Sequence, residues 1–172
     1  MSKVYGVFFT RTGNILFGFG GKSSGNNRKG AHLPGGSAKG KKKAQTITTY
    51  KIRKTLLDEL GEEFGASAKE KLEIEIDRYN AIPFSKILDG HMVYIVLCEI
   101  SSETERECCG TVRDAEKPVS YYDEPFSEIR SLHILDAYNN EIDIEQTWFK
   151  AALEVLDMYH FNGACIQTKR YA

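Results

Sequence analysis

The sequence predicts a mixed-sheet α/β sandwich, and three observations carry that expectation. Two apolar runs rich in β-branched and aromatic residues, 4–9 and 15–19, flank a polar turn. A stripe at four-residue spacing, Ile52, Leu56, Leu60 and Phe64, follows a long polar stretch. Further apolar runs then give way to a second helical pattern near the C-terminus. Strands and helices in that order pack as a sheet covered by helices.

Each element has its own signal. Residues 4–9 and 15–19, joined by Thr10-Arg11-Thr12-Gly13-Asn14, read as a β-hairpin. Gly18, Gly20 and Gly21 mark a bulge or a close backbone approach at the end of its second strand. Residues 22–45 form a Gly-rich, basic loop with Leu33-Pro34-Gly35-Gly36 in its middle. The stripe with Leu57 beside it predicts a helix over about 48–64, capped by Thr46, Thr48 or Thr49 and closed by Gly65. Gly61 inside that helix costs roughly 1 kcal/mol relative to alanine, which points to close packing there. Leu72, Ile74 and Ile76 alternate with Glu73, Glu75 and Asp77, predicting a half-buried strand. Residues 92–100 are more uniformly apolar, as a central strand is. A long polar loop, 101–128, leads to a short strand at 132–135. Trp148, Ala151, Ala152, Val155, Leu156 and Tyr159 then predict a helix over about 145–159.

Bulk properties exclude several classes. A chain of 172 residues suits a single domain, 1–172, with a core of its own. Its net charge of −1 gives no global case for nucleic acid or membrane surfaces. No apolar run approaches the roughly 20 residues that a membrane helix needs. The first residues lack a basic segment followed by an apolar one, as a leader would have. Cys98, Cys108, Cys109 and Cys165 form no C-x-x-C pair. They read as reduced thiols of a cytoplasmic protein.

The chemistry concentrates at Glu59, Glu62 and Glu63. Their i, i+3, i+4 spacing places three carboxylates on one helix face. Like charges one turn apart destabilise a helix by a few tenths of a kcal/mol per pair. A divalent cation would remove that penalty, and hard oxygen ligands suit Mg²⁺, Mn²⁺ or Ca²⁺. Taken alone, such a triplet also describes a solvated acidic face.

With its surroundings, the triplet resembles the Nudix hydrolase family, whose box is G-x5-E-x7-R-E-U-x-E-E-x-G-U, with U apolar. Leu33-Pro34-Gly35-Gly36 is similar to the opening, with Gly36 as the box glycine. Asp58-Glu59-Leu60-Gly61-Glu62-Glu63-Phe64-Gly65-Ala66 is similar to the close. The order of the other elements agrees over nearly the whole chain. Three departures stand out. Asp58 replaces the arginine that orients the catalytic glutamate in the family, leaving Lys54 or Arg53 as substitutes. Lys42 stands where the first box glutamate belongs. Fifteen residues lie where the box has seven.

The resemblance implies a Nudix-type α/β/α sandwich with a mixed β-sheet. It also implies metal-dependent hydrolysis of a diphosphate linkage in a nucleoside diphosphate derivative, a small nucleotide, with Mg²⁺ or Mn²⁺ as cofactor. The implied catalytic residues are Glu62 and Glu63. The implied metal site is Glu59, Glu62, Glu63 and Gly36. Arg28, Gly35 and Lys42 form the substrate-binding set, with Arg28 as a phosphate contact and the glycines allowing close approach. The general base is either a box glutamate or a later acid, among Glu116, Asp123, Glu124 and Glu128. Because of Asp58 and Lys42, the alternative is a catalytically impaired Nudix-like domain that binds a nucleotide or a protein. A homodimer is compatible with the resemblance. Nucleic-acid binding through the lysine-rich loop lacks the interleaved aromatics it would need.

Overall fold

Side chains that alternate along residues 3–9 leave both faces of a strand, and here both faces are covered. In the computed structural model, strand β1 (Lys3–Phe9) sends Val4 and Phe8 into one core and Tyr5, Val7 and Phe9 into another. The structure describes residues 2–38, 46–79, 81–116, 122–141 and 147–166. A turn closed by the Thr10 amide donating to the Asn14 carbonyl, 2.9 Å, leads into β2 (Asn14–Phe19). The expected basic loop holds a small hairpin, β3 (Lys22–Ser23) and β4 (Asn26–Asn27), and then β5 (Gly35–Ser37). Helix α1 (Thr49–Glu63) follows, then α2 (Ala66–Tyr79), β6 (Ile82–Leu88) and β7 (His91–Glu99). After them come α3 (Ser102–Cys108), β8 (Gly110–Thr111), β9 (Glu128–His133) and the single turn α4 (Ile134–Asp136). A π-helical turn (Ala137–Glu141) and α5 (Thr147–Phe161) complete the described elements.

The sheet runs β6-β7-β1-β2-β9-β8, with β5 also paired to β1. It is mixed: β1 and β7 are parallel, and every other pairing is antiparallel. Helices α1 and α2 cover one face, where Leu56, Leu60 and Leu72 meet Phe8, Leu16 and Val96. Helix α5 covers the other, where Phe149, Leu153 and Leu156 meet Phe9, Phe17 and Ile95. The fold is therefore an α/β/α sandwich, as the order of elements predicts.

One side of β1 positions the site. Its first residues pair with β5, in the register Lys3↔Ser37, Val4↔Gly36 and Tyr5↔Gly35. Its last residues pair with β2, at Phe9↔Ile15. The two neighbours share one edge of β1, so the segment before β5 threads between β1 and β2. The Gly6 amide donates to Pro34 O, and Gly18 and His32 exchange two backbone hydrogen bonds. The sheet is split at this point, and α1 lies beside the split.

The strand expected at 72–76 is instead the middle of α2. Ala68, Leu72 and Ile76 recur every four residues and are buried, while Ile74 is 58% exposed. Period two and period four agree over the short stretch 72–76, and Ala68 breaks the tie. Glu75, also buried, faces the core side and accepts the Ser101 amide at 3.1 Å, at the start of α3. The strand that actually precedes β7 is β6, which the apolar pattern does not reveal. As a sheet edge, β6 is half-buried at best and carries Pro83. Asp89 and Gly90, at φ 50° and 75°, form the tight turn into β7. The expected 101–128 loop includes α3 and β8. The last sheet strand is β9, somewhat before the expected 132–135, because its outward face is polar, with Arg130 stacked 3.6 Å from the Phe19 ring.

All four cysteines are free thiols. Among the described residues, no helix is long and apolar enough to cross a membrane.

The helix at 66–79 makes a simple prediction. Leu72→Ala removes a fully buried side chain and costs about 2–5 kcal/mol of stability. Ile74→Lys stays within about 0.5 kcal/mol of the native chain. Chemical denaturation of both variants checks this, and equal losses would restore the strand reading.

Candidate functional site

Helix α1 is held at both ends, and that fixes its acidic flank. At the start, Thr48 Oγ1 accepts the Lys51 amide at 3.1 Å. Along its length Ile52, Leu56 and Leu60 are buried against the sheet. At the end, the Phe64 and Gly65 amides both donate to Leu60 O. Gly65 has φ +90°, and a Cβ there would run into the Arg113 carbonyl, so only glycine fits. The segment around 113–116 and Phe126 then supply donors to carbonyls of the last helical turn. Glu116 N reaches Gly61 O at 2.8 Å, and Phe126 N reaches Glu63 O at 3.1 Å. Gly61 is buried, and a Cβ on it would overlap the Glu116 carboxylate, which is the close packing its position predicts.

Glu59, Glu62 and Glu63 occupy this clamped end. It is the negative end of the helix dipole, where carboxylates are least welcome. Glu63 is largely enclosed, with its side chain 14% exposed. Its Oε1 accepts the Gly35 amide at 2.8 Å. Its Oε2 lies 3.6 Å from a terminal nitrogen of Arg28, whose side chain is 5% exposed. Burial nevertheless pushes the Glu63 carboxyl well above the usual glutamate range, and the charge of Glu59 pushes it further. Gly35 and Arg28 oppose that shift, and Glu62 adds to it. Tyr5 is raised as well, by burial first and then by the charges of Glu63 and Glu59.

Opposite the acids lies β5, and its glycines are there for space. Gly35 has φ +153°, and a Cβ on it would collide with Val4 O. A Cβ on Gly36 would sit 2.6 Å from a Glu59 carboxylate oxygen. Lys3 donates to Ser37 Oγ at 2.7 Å. Burial lowers its pKa, while the charge of Glu59 acts the other way.

These groups line one open cleft of about 700 Å³. Of the residues singled out by sequence, Glu59, Glu62, Glu63, Gly35, Gly36 and Arg28 all meet there. Glu116, Asp123 and Glu124 also line it. Glu128 does not: it pairs with Arg130 on β9 at 3.2 Å. Lys42, with the rest of the 39–45 stretch, lies outside the described residues. Neither proposed substitute for the missing arginine bonds to Glu63. Arg53 turns to α2, where it binds Asp77 and Glu73, and Lys54 binds Asp58 at 2.7 Å. Sequence reading missed Lys3, Tyr5 and Lys51 as cleft residues. Lys3 and Tyr5 belong to an ordinary strand pattern, and Lys51 to an ordinary helix surface.

The donor set fits a hard divalent cation. It offers carboxylate oxygens that already repel one another, with the Glu59 carboxylate lying where a side chain at Gly36 would begin. Among the described residues no three His, Cys, Asp or Glu side chains form a ready-made metal cage. Mg²⁺ seldom needs one, since it binds through one or two carboxylates and fills its shell with water and phosphate.

No family model matches the sequence, and no curated protein matches it. A solved structure of a hydrolase of the NUDIX family from Clostridium perfringens is similar over 90% of this chain and 96% of that chain, with a TM-score of 0.43 and 11% identity.

The Glu63 environment predicts a pH effect with a definite sign. A carboxyl raised in the folded state binds its proton more tightly folded than unfolded. The resulting stability is fully present below the ordinary value of 4.5 and is lost as pH rises through the raised value. Without divalent cations at pH 7, Glu63→Gln therefore melts above the native chain. The gap closes as pH falls towards 4.5. Each kcal/mol moves Tm by about 2–4 °C at this length, so calorimetry at several pH values resolves the effect. A variant that melts lower at pH 7 would refute it.

Proposed function

We propose that this cleft hydrolyses a diphosphate linkage in a nucleoside diphosphate derivative, with Mg²⁺ or Mn²⁺ held by Glu59, Glu62 and Glu63. The observation that carries the reading is the meeting of those three acids with the Gly35-Gly36 strand across one cleft. A charged triplet on a solvated face would need no such opposing strand. The resemblance of the same residues to the Nudix box supports the reading.

A bound divalent cation supplies charge neutralisation at phosphate oxygens and lowers the pKa of an attacking water. The chain's own groups supply the rest. Gly35 and Gly36 leave room for the backbone to approach an anionic group. Lys3 and Lys51 line the same cleft, and their positive charges offset phosphate charge. Glu63, engaged at both oxygens, is the fixed carboxylate of the set. Glu62, partly exposed and lining the cleft, is the group that accepts a proton from water in this reading. Phosphoryl chemistry of this kind gains mainly from positioning and electrostatics.

Phosphate or nucleotide release from a panel of nucleoside diphosphate derivatives tests this, with and without Mg²⁺ or Mn²⁺. The native chain turns over at least one substrate in a metal-dependent way. Glu62→Gln and Glu63→Gln each lower kcat by about 10²–10⁴-fold, with the far-ultraviolet spectrum unchanged. Silence across the panel, together with no Mn²⁺ binding, would leave the nucleotide- or protein-binding module as the reading.

A further inference from the structure

We propose that Arg28, from the loop after β4, is the positioning residue for Glu63, holding that carboxylate from outside the helix that carries it. The inference rests on reading the cleft as a hydrolytic site. The expectation from sequence is different: an exposed basic loop in which Arg28 touches substrate phosphate.

The geometry is that of a built-in group. Arg28 is held at several points. Its own amide donates to Gly21 O at 3.0 Å. Its Nη1 donates to Gly20 O at 3.0 Å, at the end of β2. The guanidinium carbon lies 4.3 Å from the centre of the Phe126 ring. Gly21, at φ +73°, leaves no space for a Cβ, which would run into the Pro125 carbonyl first and sit 2.6 Å from Nη1. Only then does Nη2 reach Glu63 Oε2, at 3.6 Å. Phe126 links the two residues directly, with its ring on Arg28 and its amide on Glu63 O.

The consequence falls on Glu63. Gly35 N–H holds one oxygen and Arg28 faces the other, so the carboxylate plane is fixed from two different elements. Helix α1 offers nothing equivalent to Glu63. Position 58 is an acid paired with Lys54, and Arg53 is occupied on α2. A planar guanidinium suits this task better than an ammonium, because one nitrogen is anchored to Gly20 while another faces the carboxylate. Partners that orient a metal-binding carboxylate typically contribute about 10–100-fold to affinity or activity.

Two experiments on the full chain test the proposal. In the first, Arg28→Lys and Arg28→Gln are compared with the native chain on the substrate found above. The expected result is a kcat lowered about 10–100-fold, with KM changed less than about threefold. Arg28→Lys retains more activity than Arg28→Gln. A KM raised tenfold or more at unchanged kcat would mean direct substrate contact and overturn the proposal. In the second, Arg28→Gln, Glu63→Gln and the double variant are unfolded by urea without metal. Arg28→Gln lowers the midpoint less in the Glu63→Gln background than in the native one. Additive shifts would show that the two side chains are uncoupled and would also overturn it. Should the native chain hydrolyse nothing, the hydrolytic reading fails, and the urea cycle still decides whether Arg28 holds Glu63.

Discussion

A carboxylate buried at the negative end of a helix, beside two others, has to be stabilised from outside that helix. Glu63 is in that position. The dipole of α1, the charges of Glu59 and Glu62, and loss of water all disfavour its ionised form. What opposes them comes from two separate parts of the chain, the Gly35 amide and the Arg28 guanidinium, while the Phe126 amide ties down the Glu63 main-chain carbonyl. Much of the unusual local chemistry follows from this. Glycine at 21 leaves room for the Pro125 carbonyl and Arg28, glycine at 35 for the Val4 carbonyl and glycine at 36 for the Glu59 carboxylate, and glycine at 65 lets the chain leave the helix beside the Arg113 carbonyl.

The sheet makes such an approach possible. Two cores, one on each face, fix α1 and α5 on opposite sides of the same strands. β1 is wholly committed on one edge to β7, over seven register pairs. Its other edge is shared between β2 and β5. That division leads the Leu33-Pro34-Gly35-Gly36 segment into the sheet and brings two backbone glycines under the acids of α1. Tyr5 and Lys3 line the cleft from β1. The cleft thus combines the acids of a helix, the backbone of a strand and cations from both.

Where sequence patterns misled, the cause was a short window or a weakly buried element. Over 72–76 the apolar residues fit a strand, and only Ala68, one turn earlier, marks the α2 stripe. Burial of Glu75 beneath α3 is equally invisible, because a glutamate in an alternating run reads as solvent-facing. β6 escaped for the opposite reason: edge strands need little apolar alternation, and Ile82 and Ile87 are largely exposed. In contrast, α1 was legible nearly to the residue, since its four-residue stripe, its threonine cap and its closing glycine all agree.

The sequence by itself determined the α/β class and helix α1 with its three glutamates on one flank, because those features depend on local periodicity. That Gly35 and Gly36 face those acids was implied in sequence only by the resemblance and was decided by the pairing of β5 with β1. The tertiary structure alone decided which distant groups reach the glutamates. Arg28 lies 35 residues before Glu63 and reads in sequence as a substrate-phosphate contact on a polar loop. Its burial, its anchor on Gly20 and its place against Phe126 arise from the way β2, the β3–β4 hairpin and the 122–126 segment converge. Arg53 and Lys54, nearer in sequence, were drawn elsewhere because Asp77, Glu73 and Asp58 lie within their reach. Charge pairing is set by distance in space, and a linear pattern records distance only along the chain.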